Sequence, residues 1–214
     1  MSGKPILFNT AMVQAIIAGD KSCTRRVIKD VSGLNYIGCV ECSTDKKDEG
    51  KVCFGVGSFE DITNLEIKEY IRPPYRIGDI LYVRETWKKY QKRVGSGNNC
   101  CVAGFYGYKA DEDNPNNPSE FYEGKWKPSI HMPKEAARIF LRVTSVRAER
   151  LQDITTEGCF KECITVDYNS PNTEFDFFRD LWDNTIKKED IETHEYKANS
   201  WVWVIDFKDI YSYV

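Results

Sequence analysis

The sequence predicts an α+β fold. Three observations carry this reading. Short strand-like apolar runs and separate helical stretches are mixed along the chain. No internal repeat is present and no linker divides two cores, so a single domain over residues 1–214 is expected. Hydrophobic residues make up 41% and charged residues 29% of the 214, which places the chain in the globular range and makes it long enough to bury its own core.

The first element is a short helix. Asn9 and Thr10 are N-cap types, Met12, Val13, Ile16 and Ile17 follow at helical spacing, and Gly19 suits the end. The polar, basic segment from Asp20 to Lys29 leads into an extended run. Residues 31–70 are less orderly and read as hairpins or an insertion. Pro73 to Asp79 turns the chain into a strand over Ile80 to Glu85, followed by Thr86 and Trp87. Residues 92–125 are rich in Gly, Asn, Pro, Asp and Glu around a strand at Val102 to Tyr108, and Asp111 to Ser119 reads as an exposed loop. Residues 139–150 read as a long strand with Ile139, Leu141, Val143 and Ser145 on one face and Phe140, Arg142 and Thr144 on the other. Thr155 is the N-cap type for a helix reaching Cys163. A second helix spans 174–185, with Phe175, Phe178, Leu181 and Trp182 on one face. An apolar, aromatic strand from Trp201 to Phe207 closes the series.

Charge and composition narrow the partners. Acidic residues number 33 and basic ones 30, for a formal charge of -3, which disfavours a protein that coats duplex DNA. No stretch approaches a membrane span, and the start of the chain lacks the apolar region of an export signal, so a cytoplasmic location is expected and no membrane partner. The 8 cysteines are then expected to be reduced. Cys39-Val40-Glu41-Cys42 has zinc-knuckle spacing and Cys53 follows. A fourth ligand would have to come from a remote residue such as Cys100 or Cys101, so the pattern is incomplete and no metal or other cofactor is assigned. His131 and His194 are the 2 histidines and lie far apart, which weakens a His-based metal site further.

Several stretches, taken together and in order, carry a resemblance. They are Ala18 to Arg26, Gly78 to Trp87, Trp126 to Pro133, Arg150 to Ile154, Phe178 to Trp182 and Asn199 to Val204. With them the sequence resembles the ASCH-domain family, and in particular its larger phage- and prophage-associated members. The resemblance implies a compact PUA-like β-barrel with helices packed at its rim, with residues 32–70 and 92–125 as insertions relative to small members. Some small members hydrolyse N(4)-acetylcytidine to cytidine and a carboxylic acid, with an active triplet of Lys, Thr and Glu. The matching positions here are Lys21, Thr24 and Glu162. Phage members usually carry Gly after that Glu, whereas this chain has Cys163.

The resemblance therefore implies a metal-independent amidohydrolase for N(4)-acylated cytosine nucleosides. Amide cleavage needs an activated nucleophile, a charge stabiliser and a proton for the leaving amine. Thr24 supplies a hydroxyl, which needs a base in reach, and a neutral Lys21 would serve as one. A carboxylate beside Lys21 favours the ammonium instead, and then Glu162 handles the proton or activates water while Lys21 meets the oxyanion. Tyr82 or Trp87 would stack on cytosine, and Arg26 or Glu85 would read its polar edge. The bland alternatives are a polar turn at Lys21 and Thr24, a solvated helix residue at Glu162, surface ion pairs at Arg25 and Arg26, and packing for the tryptophans. Cys23, beside Thr24, reads as a buried inert thiol. Readings from other classes are an RNA-binding module, with Lys21, Arg25, Arg26 and Lys29 on phosphate and Trp87 as a stacking platform, or a ribonuclease.

Overall fold

The computed structural model describes residues 3–41, 43–58, 61–96, 100–112, 125–166 and 170–212. The strands are β1 (Lys4–Leu7), β2 (Cys23–Val27), β3 (Asn35–Cys39), β4 (Val52–Ser58), β5 (Asp61–Ile71), β6 (Ile80–Arg84), β7 (Trp87–Val94), β8 (Cys101–Tyr108), β9 (Ile139–Arg150) and β10 (Trp201–Ser212). The α-helices are α1 (Thr10–Ala18), α2 (Thr156–Lys161), α3 (Glu174–Asp183) and α4 (Ile191–His194). Strands predominate and helices are few, so the fold is mixed α+β, as the sequence predicts. Among the described residues no helix is long and apolar enough to cross a membrane.

The chain divides into two compact units, each built from separated segments. The first comprises Met1–Ser22, Asp79–Arg142 and Lys208–Val214. In it β1 runs parallel to β6, with Ile6 opposite Val83, and β6 runs antiparallel to β9, with Leu81 opposite Leu141. Helix α1 starts as its sequence dictates: the Asn9 side chain accepts from Met12 N at 2.9 Å, and Gly19 ends it at φ 84°, a conformation glycine tolerates without Cβ strain. Val13 and Ile16 are its buried face.

The same unit holds the β7–β8 ribbon, in register from Trp87 opposite Tyr108 to Val94 opposite Cys101. The sequence pattern missed β7 because Lys88-Lys89-Tyr90-Gln91-Lys92-Arg93 has no apolar alternation. Cross-strand rings support it instead: Tyr90 stacks on Phe105 at 5.7 Å, and Trp87 meets Tyr106 at 5.7 Å. The exposed loop expected from Asp111 onward is corrected at its start. Asp111 ends a 3-10 turn and is half-buried against Arg138, while residues 113–119 lie outside the described residues.

The second unit comprises Cys23–Gly78 and Val143–Phe207. Strands β9, β10 and β2 are neighbours in that order, and β10 pairs antiparallel with β2. The region read as hairpins or an insertion is a three-stranded antiparallel sheet, β3-β4-β5. Helices α2 and α3 pack Cys159, Phe178 and Trp182 against Leu151, Val202 and Val204. Each fully buried large side chain here is worth about 1.5–3 kcal/mol. Thr155 caps α2 by accepting from Gly158 N, and Thr173 and Asp176 form a reciprocal capping box on α3.

Candidate active site

Strand β2 brings three polar or reactive side chains into the interior in a row. Cys23, Thr24 and Arg25 are all buried, facing Asp206, Ile205 and Val204 across the ladder. The two-residue period of a strand sends Cys23 and Arg25 to one face and Thr24 and Arg26 to the other.

Arg25 is the centre of a charge chain. Its Nη1 lies 3.2 Å from Glu162 Oε1 and its Nη2 lies 2.9 Å from Glu149 Oε1. The side chain of Arg25 is 2% exposed and that of Glu162 is 5%, so this pair is out of water. Glu149 also accepts from Arg147 Nε at 3.1 Å, and Arg147 Nη1 reaches Asp206 Oδ2 at 2.6 Å. The guanidinium of Arg25 sits 5.6 Å from the Phe178 ring. Burial opposes the Arg25 charge, yet Glu162 and Glu149 outweigh it and raise its pKa. Arg26 is half-buried, and burial lowers its pKa while the Glu162 charge resists.

Local backbone explains how Glu162 reaches this guanidinium. It is the C-cap of α2, its N–H bonded to the carbonyls of Gly158 and Cys159. A carboxylate at a helix C-terminus faces the negative end of the dipole, so Arg25 compensates an unfavourable placement. Helix α2 approaches closely because residue 158 is glycine: a Cβ there would come within 3.0 Å of Arg25 Nη2. Cys163 follows with φ 67°, the left-handed region that glycine adopts freely. A cysteine at this position thus leaves the turn formed, at a local strain cost.

Cys23 is a thiol, not a thiolate. Burial, then the Glu162 charge, pushes it up to about 12, with Arg25 offsetting only part. It is buried, as the sequence reading expects.

The other residues singled out from sequence are placed as follows. Lys21 belongs to the first unit, follows the α1 cap, and is 3% exposed, with its N–H on the Ala15 carbonyl at 3.1 Å. Thr24 and Glu162 belong to the second unit and are 2% and 4% exposed. Tyr82, on β6, is half-buried with Lys134 Nζ 5.7 Å from its ring. Glu85 is buried with both oxygens on Arg138, at 2.9 and 3.1 Å, and Arg138 continues to Asp111 and stacks 4.0 Å over Tyr108. Burial raises the Glu85 pKa against the pull of Arg138. Trp87 packs with Met132, Ala136 and Tyr106. Arg25 pairs with interior carboxylates rather than surface ones, which leaves it unavailable to phosphate.

Cys39 and Cys53 line one cavity with Asp48, and Cys42 lies outside the described residues. Among the described residues no group of three His, Cys, Asp or Glu is gathered to hold a metal. Sequence reasoning missed Glu149 as the second partner of Arg25 and Arg138 as the partner of Glu85. Neither pairing has a local signal, since the partners lie 124 and 53 residues apart. Compared with protein-family models, curated proteins and solved structures, the chain matches none.

Proposed function

We propose that this chain is an ASCH-type amidohydrolase, with a PUA-like arrangement of its strands, that cleaves the acyl amide of N(4)-acylated cytosine nucleosides such as N(4)-acetylcytidine. The observation that carries the reading is burial. Lys21, Thr24 and Glu162 account for three of the seven buried polar residues among those described. Lysine and glutamate are almost never fully buried unless they pair or work. A polar turn and a solvated helix end, the bland alternatives, would leave these side chains in water.

The chemistry follows from the residue types. Glu162, oriented by Arg25, takes a proton from water as the water oxygen bonds to the acyl carbon. The carbonyl electron pair moves to oxygen, where the Thr24 hydroxyl donates to the developing charge. Collapse breaks the C–N4 bond, and N4 takes the proton back from Glu162. Cytidine and a carboxylic acid leave, and atoms and protons balance. Arg26, half-buried, serves the polar edge of the base in this reading.

The test is hydrolysis of N(4)-acetylcytidine in the presence of a chelator, followed by ultraviolet absorbance. Glu162→Ala should abolish turnover, and Thr24→Ala should lower kcat by about 10²–10³ through loss of an oxyanion donor. Lys21→Ala should do at least as much, with circular dichroism unchanged in all three. Absence of turnover with acetyl and bulkier acyl cytidines sinks the proposal.

A second reading, a nucleic-acid binding module, draws support from the β7–β8 ribbon. Its 16 residues hold Lys88, Lys89, Lys92 and Arg93 and no acidic side chain, in a chain of net charge -3. Lys89 and Arg93 share a face with Tyr106, where a base would stack. Salt-dependent RNA binding without product, lost in Lys89→Ala/Arg93→Ala, would favour it.

A further inference from the structure

The second unit contains a cavity of about 320 Å³ that takes in neither Thr24 nor Glu162. Its walls are the loop after β2, the end of β9, helix α4 and the start of β10. The loop turns through two left-handed residues, Asp30 at φ 64° and Gly33 at φ 74°. Trp182 Nε1 donates to the His194 carbonyl at 2.8 Å and ties α4 to α3. The wall is therefore a built one, held by hydrogen bonds on more than one side.

Its charges are unusual. Arg150 lies over the Trp201 ring at 4.3 Å and donates to the carbonyls of Asn199 at 3.1 Å and Leu34 at 3.3 Å. Both partners are neutral, and among the described residues Arg150 makes no ion pair. Asp30 and Glu192 line the same cavity, are exposed, and also make no ion pair among the described residues. Opposite charges sharing a small cavity ordinarily close on one another. Here the stack on Trp201 and the two carbonyl bonds hold the guanidinium in place, and the carboxylates stand apart from it.

A ligand carrying both charges would bridge that separation. A ligand with one charge would engage only one of the two ends. Arg geometry suits a carboxylate, which it grips through two parallel bonds. His194 also lines the cavity, its Nδ1 2.8 Å from the Thr193 carbonyl. Ile28 and Val31, 3% and 2% exposed, supply apolar wall. The volume equals about ten waters at roughly 30 Å³ each, which suits a molecule of amino-acid size.

We propose that this cavity binds a free α-amino acid with an apolar side chain, its carboxylate on Arg150 and its ammonium on Asp30 and Glu192. The site is independent of the hydrolase reading, since it shares none of Lys21, Thr24 and Glu162.

The experiment titrates L-leucine into the full chain by calorimetry and follows thermal unfolding. At about a hundredfold excess over Kd the unfolding midpoint rises by about 5–10 °C. N-acetyl-L-leucine, which lacks the ammonium, and isopentylamine, which lacks the carboxylate, each bind at least about tenfold more weakly. The Asp30→Asn/Glu192→Gln variant, altered only at exposed side chains, loses leucine affinity by a similar factor and keeps the unfolding midpoint of the free chain. N-acetyl-L-leucine binding as tightly as leucine would reduce the cavity to an anion site and overturn the proposal. Equal binding of isopentylamine overturns it in the opposite sense, and so does silence from leucine and every other apolar amino acid. Turnover of N(4)-acetylcytidine, measured separately, is unaffected by any of these outcomes.

Discussion

Arg25→Met is the most informative single perturbation of the charge chain. Methionine keeps the length and the contact with Phe178 but removes the charge facing Glu162 and Glu149. An exposed ion pair is worth at most about 1 kcal/mol, whereas breaking a buried one costs about 3–5 kcal/mol. Glu162, 5% exposed, falls in the second class, and Glu149, 19% exposed, is partly relieved by water. The expected loss is therefore about 3 kcal/mol, at the lower end of the buried range. For a chain of this size that corresponds to a fall in Tm of about 6–12 °C. Urea unfolding followed by tryptophan fluorescence measures it. Adding Glu162→Gln should recover part of the loss, because the stranded carboxylate is then gone. Under the proposed hydrolase reading, the same Arg25 substitution should lower kcat for N(4)-acetylcytidine more than it raises KM, since Arg25 would then act by positioning Glu162. A loss below about 1 kcal/mol, or a double variant no more stable than the single, would refute the assignment of Arg25 as the buried counter-charge.

Three further outcomes are expected. Cys23 and Tyr108 are each pushed up to about 12 and Cys159 to about 11, chiefly by burial, from ordinary values of 9.0, 10.0 and 9.0. The folded state therefore holds these protons longer than the unfolded one, so their stabilisation is complete below about pH 9 and is lost as pH rises toward 12. The unfolding midpoint should fall through that window and fall less in Cys23→Ala, and a flat profile would contradict the burial. Cys163→Gly should stabilise by about 1 kcal/mol by relieving φ 67°, while Cys163→Ala should gain nothing, as judged by thermal unfolding. Glu85→Gln should cost about 3 kcal/mol by removing the carboxylate that Arg138 grips through two bonds, and a change within about 0.5 kcal/mol would mark the pair as surface-like.

Much of the fold was legible in local pattern, and the reason is that local physics makes those elements. Asn9 and Gly19 bracket α1, Thr155 opens α2, and Ile139, Leu141 and Val143 alternate inward along β9, each by interactions within a few residues. The ends drifted where a cap decides them: α3 stops at Asp183, two residues before the expected end, and Glu162 caps α2 rather than lying inside it. Strand β7 was illegible because its stability comes from rings on β8, not from its own apolar period. The sheet β3-β4-β5 likewise depends on pairing between segments that carry weak patterns singly.

For the candidate site the division is sharper. The resemblance to a family is what singles out Lys21, Thr24 and Glu162 in the sequence, since a Lys, a Thr and a Glu in themselves read as ordinary polar surface residues. Their burial, the capture of Glu162 by Arg25, the relay through Glu149 and Arg147, and the engagement of Glu85 by Arg138 came only from tertiary structure. Composition counts charges but does not say which of them leave water. That depends on which strand lies beside which, on where a helix such as α2 ends, and on whether a glycine such as Gly158 lets that helix close on a guanidinium.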